Sequence, residues 1–551
     1  MRAGGVPWPE AEAAAYRAAG YWRDEPLGVL AWRWADRYGE RTAVVDGEVR
    51  LSYRELAERS DALAEQLQGF GLGCGATVMV QLPNCWEFVV LFLACVRVGA
   101  VPLFTLMPLR DRELGQLAAL AGADAIVVRD TWYGYDHRAL ARRVAAGAGR
   151  PTSVIVLGGA PAPGEADLSA MIGAGGDPRA RSNRLDRVPV DPADVALFLL
   201  SGGTTGVPKI IARTHNDYEY NARQSGAVCE FDDKTVYIAV LPIAHNFAFG
   251  SPGLLATLMS GGRVVLARSP EPGRAFELID RESATVTSVV PAVLRRWLDT
   301  ALELRWRPRT LRCVQVGGSI LPPELAARVT PVLGCALQQV FGMAEGLLNY
   351  TRPDDPAQVR ETTQGRPISP GDEIRVVDER GDEVAPGRVG ELLTRGPYTP
   401  RGYFAAPEHN AGVFAGGWYR SGDLVRVHPS GNLVVVGRSK DLINSSGEKI
   451  SAREVEDLLR ELGQVADAAA VPVRDELAGE RVGACVILKP GTELTRDQVH
   501  EQFERRGVAR FKFPDRLLVL PAFPLTAVGK VDKTALSTLI AARRAETGGR
   551  R

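Results

Sequence analysis

The stretch Leu199-Leu-Ser-Gly-Gly-Thr-Thr-Gly-Val-Pro-Lys209 has the residue types of a polyphosphate cradle. The apolar run Val195 to Leu200 reads as a short buried strand. It ends in a turn, Ser201, Gly202, Gly203, Thr204, Thr205 and Gly206, closed by Lys209. Such a turn aims backbone N–H groups, hydroxyls and one ammonium at a single point, which suits phosphate oxygens. Its glycines let backbone approach a ligand closely. The spacing does not fit G-x-x-x-x-G-K-[ST], and no Ser or Thr follows Lys209. An ordinary surface loop has the same composition, so the stretch alone leaves both readings open.

The continuation Ile210-Ile-Ala-Arg-Thr-His215-Asn-Asp-Tyr, and then Leu241-Pro-Ile-Ala-His245-Asn246-Phe247, narrows the choice. With the turn before them, these residues resemble the adenylate-forming (ANL) superfamily. Within it they are most similar to the stand-alone aryl-acid AMP ligases, which activate 2,3-dihydroxybenzoate or salicylate. The resemblance runs from about Trp8 to about Leu536. It implies ATP and Mg2+, with Thr204, Thr205 and Lys209 on the β- and γ-phosphates.

Further motifs follow in the family's order. Gln338-Gln-Val-Phe-Gly-Met-Ala-Glu345-Gly resembles the aromatic-Gly-x-[ST]-Glu motif, with Ala344 in place of a hydroxylated residue. The resemblance places Val340, Phe341 and Gly342 at the adenine and Glu345 on Mg2+. Val316-Gly317-Gly318-Ser319 would floor adenine and aryl ring where a Cβ would collide. Tyr419-Arg-Ser-Gly-Asp423 implies a ribose-binding carboxylate at Asp423. Gly437-Arg438-Ser-Lys440-Asp implies a hinge at Lys440, with Arg438 on ribose or phosphate. Gly447-Glu-Lys449 would enter the site for thioester formation. Pro524-Leu-Thr-Ala-Val-Gly-Lys530-Val-Asp-Lys533 resembles the C-terminal lysine motif. Lys530 and His245 are therefore the catalytic candidates, and Lys533 is expected at the surface. A fixed ammonium at a developing phosphorane is typically worth about 10²–10³ in rate.

The resemblance also points to the acid. Asn246 would bind the 2-hydroxyl of an ortho-hydroxyaryl acid, with Phe247, Ser251, Gly317, Gly318 and Leu348 around the ring. Ser251 resembles the dihydroxybenzoate enzymes and Leu348 the salicylate enzymes. Ala248, Phe249 and Gly250 depart from the branch pattern; Ala248 and Gly250 are expected to open room and Phe249 to close it. Salicylate, dihydroxybenzoate, a substituted salicylate, a hydroxynaphthoate and a hydroxylated heteroaryl acid all remain open. So does the acceptor, a phosphopantetheine thiol of a trans-acting carrier protein or of coenzyme A. Arg453, Arg460, Arg474 and Arg481 are candidates for the CoA 3′-phosphate or a carrier protein. A non-catalytic nucleotide-binding relative is the minor alternative; the presence of Glu345 and Lys530 counts against it.

These residues need a scaffold of more than one core, as the length requires. Ser52-Tyr-Arg-Glu55 opens a helix to about Phe70 with a capping-box pattern. Strand and helix then alternate: Ala76–Leu82, Trp86–Val98, Ala100–Phe104, Arg112–Ala121, Ala125–Val128. That alternation predicts an α/β multidomain protein with mostly parallel sheets. Residues 150–190 read as a loop or weak connector. Short alternating strands from Glu373 onward suggest a β-barrel piece, and Ile450 to Leu536 a small α+β domain. The resemblance implies an N-terminal adenylation core over 1–438, with two α/β subdomains, a β-barrel and the ATP and aryl-acid sites. A mobile C-terminal domain over 439–551 would carry Lys530.

Lys+Arg and Asp+Glu are both 66, so the net charge is zero and neither nucleic acid nor a membrane surface is an expected partner. The seven cysteines are scattered and the N-terminus lacks a signal-peptide core. A reduced, cytoplasmic protein is expected.

Overall fold

The computed structural model describes residues 4–201, 208–438, 442–524 and 531–547. Two large sheets carry the N-terminal part. One runs Ile210–Thr214, Val195–Leu200, Val101–Phe104, Thr77–Gln81, Ala123–Arg129, Ser153–Leu157, Glu165–Asp167. The other runs Arg366–Pro367, Gly346–Tyr350, Ala336–Met343, Cys313–Val316, Val286–Val289, Val236–Ala239, Arg263–Leu266, Thr42–Asp46, Val49–Ser52. Their centres are parallel and only edges are antiparallel. Parallel strands covered on both faces need continuous apolar runs, as in the fully buried Thr77–Gln81 and Val101–Phe104.

Local signals explain the helices that cover these strands. Ser52 accepts from the Glu55 N–H at 3.1 Å, and the Glu55 carboxylate accepts from the Ser52 N–H at 2.8 Å, opening the helix Tyr53–Gly69. Trp86–Arg97 is apolar almost all round and is buried accordingly.

The expected loop over 150–190 is wrong. It holds the strands Ser153–Leu157 and Glu165–Asp167 and the helices Leu168–Ile172 and Pro178–Leu185. Ser153–Leu157 and Leu168–Ile172 are short but apolar, whereas Glu165–Asp167 and Pro178–Leu185 are sparsely apolar, so tertiary anchors help decide them. Buried Arg181 binds Glu65 at 2.9 Å and the carbonyls of Ala174 and Gly175.

Beyond residue 370 an antiparallel five-stranded sheet contains Glu373–Val377, Gly390–Arg395, Phe414–Ala415, Trp418–Val427 and Leu433–Arg438. The smaller C-terminal unit is α+β, with Leu442–Ser445, Glu448–Ser451, Val465–Asp475, Gly479–Leu488 and Arg516–Val519 in one sheet. The helix Ala452–Arg460 packs on that sheet within a separate core of Ile443, Val455, Leu458, Ala470 and Phe503. Among the described residues, no helix is long and apolar enough to cross a membrane.

Two histidines are sealed in the large part. His215 accepts the Leu27 N–H at Nδ1, and His137 meets Gln81. Burial pushes both pKa values from 6.5 down to about 4. Between those values the unfolded chain takes up protons that the folded chain refuses. Stability is therefore full above pH 6.5 and falls as the pH drops toward 4, by up to about 3 kcal/mol per ring. Thermal melts across this range should show the decline. His215→Gln, which keeps an acceptor but takes no proton, should remove the His215 share and leave that of His137.

Candidate active site

The ends of the glycine-rich turn are tied together. Leu200 pairs with Ile210, and the Ser201 N–H donates to the Lys209 carbonyl at 3.0 Å. Gly202, Gly203, Thr204, Thr205 and Gly206 lie outside the described residues, as do Lys440 and Lys530. Downstream, Phe404 donates its N–H to the Ile210 carbonyl and Tyr403 bridges Ile211. That pairing brings Tyr403 to the mouth of the turn. Its ring lies 5.4 Å from the Lys209 ammonium, and its hydroxyl donates to Glu345 at 2.8 Å. Burial, and then Glu345 itself, raise the Tyr403 pKa, so the phenol stays a donor. One tyrosine thus joins Lys209 to Glu345. The sequence reading missed it, although Arg401-Gly-Tyr403 has the glycine that such a turn needs.

Glu345 sits at a sharp reversal between Ala336–Met343 and Gly346–Tyr350. The carbonyl before it, Ala344, accepts from Arg213 Nη1 at 3.0 Å. Phe341, half-buried, lies opposite Asn349, whose amide donates to the Phe341 carbonyl. Asp423 is buried on Trp418–Val427, directly across from Arg438 in the neighbouring strand.

The residues expected around the ring do come together. Phe247, Val340 and Leu348 pack in one cluster with Tyr220, Tyr350 and Tyr398. A Cβ on Gly317 would lie 2.8 Å from the Val340 carbonyl oxygen and 3.3 Å from the Phe247 ring. A Cβ on Gly342 would meet the Leu348 side chain at 2.5 Å. Asn246 is buried between two hydroxyls: Tyr218 donates to its Oδ1 at 2.8 Å, and its Nδ2 donates to Ser251 Oγ at 3.0 Å.

The branch departures face elsewhere than expected. Phe249 points into the core against Phe88, Phe92 and Phe104, so it does not close the pocket. Ala248 is fully buried. The room left by Gly250 is filled by the Tyr218 hydroxyl, 2.4 Å from where a Cβ would stand.

The C-terminal unit closes on this site. Gly447, at φ +92°, lies against Val290, and its Cα is 4.0 Å from where a Cβ of Gly318 would stand. His245 accepts the Phe247 N–H at Nδ1. His245 keeps an exposed surface, but the protein packed around its ring, and then the Lys449 ammonium, push its pKa below the usual histidine value. Lys512 reaches across from the C-terminal unit to Glu113 at 3.2 Å while holding Glu454 at 2.9 Å, all three buried. The Ala509 N–H also donates to Glu113. None of these three residues was singled out from sequence, where a Glu after Asp-Arg reads only as helix capping. Lys533, expected at the surface, is instead half-buried on Glu456 at 2.9 Å. Arg460 and Arg481 are engaged with carboxylates, Arg453 lies 4.0 Å from Asp457, and Arg474 is exposed.

A nucleotide fits what is present. Gly317 and Gly318 form a cradle that a Cβ at Gly317 would fill, and Ser201 Oγ is buried with no hydrogen-bond partner among the described residues. Glu345 offers a hard carboxylate oxygen of the kind Mg2+ takes beside phosphates.

Two parallel-centred α/β sheets, an antiparallel sheet and a closing α+β unit, meeting at a glycine cradle, define a nucleotide-dependent ligase of the adenylate-forming class. The chain belongs to the AMP-binding enzyme family: its family model matches residues 31–404, and that of the AMP-binding enzyme C-terminal domain matches 454–530. A salicylyl-CoA synthase / salicylate adenylyltransferase of a Streptomyces species is 53% identical over 98% of both chains. The 2-hydroxy-7-methoxy-5-methyl-1-naphthoate–CoA ligase of Streptomyces carzinostaticus is 49% identical over 99% of this chain and 98% of its own. The apo structure of MbtA from Mycobacterium smegmatis is 43% identical and superposes with a TM-score of 0.75, over 97% of this chain and 99% of that one. Enzymes of this family use ATP and Mg2+.

Tyr403→Phe removes the donor that holds Glu345. The Mg2+ concentration for half-maximal activity should rise about three- to tenfold. A Mg2+ titration of the variant checks this, and an unchanged midpoint would detach Tyr403 from any metal role of Glu345.

Proposed function

We propose that this enzyme activates an ortho-hydroxyaryl carboxylic acid as its adenylate and passes the aryl group to a phosphopantetheine thiol. The observation that carries the reading is the buried Asn246 amide, held by two hydroxyls beside the slot of Phe247, Val340 and Leu348. A buried amide of this kind favours a ring that supplies a polar partner, because an unmatched one is costly.

In the first half-reaction a carboxylate oxygen attacks the α-phosphorus of ATP, and pyrophosphate leaves. The chain contributes position and charge. Ser201 and Lys209, with Gly202, Gly203, Thr204, Thr205 and Gly206, hold the phosphates. Val340, Phe341, Gly342 and Gly318 hold adenine, Asp423 and Arg438 hold ribose, and Lys530 bridges carboxylate and α-phosphate. Mg2+ on Glu345 would neutralise phosphate charge. His245, which begins the helix Asn246–Gly250 and accepts the Phe247 N–H, would orient the carboxylate.

In the second half-reaction the thiol sulfur attacks the acyl carbon, the acyl–oxygen bond breaks and AMP leaves; the thiol proton passes to solvent. The core 1–438 and the mobile unit 439–551 pivot at Lys440. The seating of Gly447 against Val290, and the Lys449 charge felt at His245, support an arrangement suited to this step. A cytoplasmic setting, with ATP and reduced thiols, suits the chemistry. The names of the two Streptomyces relatives favour coenzyme A as a second reading of the acceptor beside a carrier protein.

Aryl-acid-dependent ATP–pyrophosphate exchange tests the first step. Salicylate, 2,3-dihydroxybenzoate, hydroxynaphthoates and 3-hydroxypicolinate should support exchange better than benzoate, and Lys530→Ala should lower it by about 10²–10³. Equal exchange with benzoate would remove the ortho-hydroxy assignment. Thioester formation with holo-carrier protein against CoA identifies the acceptor.

The Glu113–Lys512–Glu454 contact generates a second expectation. Breaking a buried ion cluster by removing one partner typically costs about 3–5 kcal/mol. Glu113→Gln should therefore slow thioester formation at least about tenfold relative to pyrophosphate exchange. Equal loss in both half-reactions would show that the contact does not distinguish them.

A further inference from the structure

We infer that Tyr218 is a positioning residue that sets the preference for an ortho-hydroxylated ring by fixing the Asn246 amide, with Gly250 leaving the space its hydroxyl needs. This rests on the aryl-acid reading above. An Asn amide offers a donor end and an acceptor end, and its orientation is chosen by its partners. Tyr218 donates to Oδ1 at 2.8 Å, and Nδ2 donates one of its two hydrogens to Ser251 Oγ at 3.0 Å. The second Nδ2 hydrogen remains for a ligand. The phenol of a salicylate-type acid donates to its own carboxylate, so its oxygen presents lone pairs outward. A donor must meet it, and the orientation held by Tyr218 supplies one.

Tyr218 has little freedom to do anything else. It is fully buried on the helix His215–Val228. Phe249 lies nearly parallel to its ring at 6.3 Å and 20°. The Arg213 guanidinium lies 5.0 Å from the ring centroid and is itself held by Asp217 at 2.6 Å and the Ala344 carbonyl at 3.0 Å. The Tyr218 hydroxyl reaches Asn246 through space that only glycine leaves open, since a Cβ at position 250 would lie 2.4 Å from it and 2.7 Å from the ring carbon bearing it. Phe249 and Gly250, two of the departures from the branch pattern, therefore act on Tyr218 rather than on the ring of the acid.

The test is the ratio of kcat/KM for salicylate to that for benzoate, measured by pyrophosphate exchange with the full chain. Variants are Tyr218→Phe, Gly250→Ala and Asn246→Ala. Tyr218→Phe should reduce the ratio about tenfold, and Gly250→Ala, with the tyrosine intact, should reduce it similarly. A purely structural role would lower both acids in proportion and keep the ratio. Retention of the wild-type ratio in Tyr218→Phe, while Asn246→Ala loses it, would overturn this inference alone. Retention in Asn246→Ala would overturn the assignment of Asn246 to the ortho-hydroxyl and this inference with it, while activity on both acids leaves aryl-acid activation standing. Tyr218→Phe fills the same core volume, so the proposal remains falsifiable even if Gly250→Ala fails to fold.

Discussion

The site depends on one buried ion pair. Arg213 and Asp217 are both completely shielded, 2.6 Å apart, one turn from each other across the junction of strand Ile210–Thr214 and helix His215–Val228. Two buried charges are costly to desolvate and persist only when their remaining hydrogen-bonding capacity is used. Here it is. Asp217 also accepts from the Thr214 N–H and hydroxyl, capping the helix. Arg213 reaches the Ala344 carbonyl and Asn221, and Asn221 in turn donates to the Gly250 carbonyl. A single guanidinium therefore relates three segments far apart in sequence: the exit of the glycine-rich turn, the reversal bearing Glu345 and the short helix Asn246–Gly250. Removing either charge alone would strand the other in the core.

Much of this was legible in the chain, for physical reasons that differ by region. The capping box at Ser52 and the apolar runs at Thr77–Gln81 and Val101–Phe104 are local signals, and the elements lie where those signals put them. The grouping of Phe247, Val340 and Leu348 was legible only through resemblance, because nothing local brings residue 247 to residue 348. The connector over 150–190 was missed because its elements are short and separated by Gly- and Pro-rich stretches, which mask the apolar strand Ser153–Leu157. Tyr403, Glu113 and Lys512 were missed for a related reason. Each matters through a partner in a distant element, and a lone Tyr, Glu or Lys has no periodicity to reveal that. Arg213, Asp217 and Tyr218 stood inside a quoted motif, yet their types alone gave them no role.

The contact between the two parts obeys the same rule. Lys512 is shared by Glu113 and Glu454, and the Ala509 N–H supports Glu113 from the same loop. Burial raises the Glu454 pKa, with Lys512 opposing that rise. The cluster therefore holds only while all three groups face one another. Such a contact has specificity out of proportion to its size, because a small displacement leaves an ion without its partner in a poorly solvated place. It suits an interface that must be either fully made or fully open.

On the aryl-acid reading proposed above, the width of the acid pocket follows from what cannot move. Ala248, Phe249 and Gly250 are engaged with the core and with Tyr218, so they do not set the room available to the ring. That leaves Phe247, Val340 and Leu348. Gly317 lies too close to the Val340 carbonyl to gain a side chain, so the floor is fixed by backbone. Leu348 is pinned through its own backbone: its N–H donates to the Tyr398 hydroxyl, which donates to Asp372. Burial raises Asp372 to about 7, so this support is itself near the balance between charged and neutral forms at physiological pH. The same sheet edge carries Glu345, so widening the slot through the backbone would also disturb the phosphate end. On that reading, variation in acid size falls to side-chain changes at Phe247, Val340 and Leu348, which share one buried cluster, while the Arg213–Asp217 pair stays fixed.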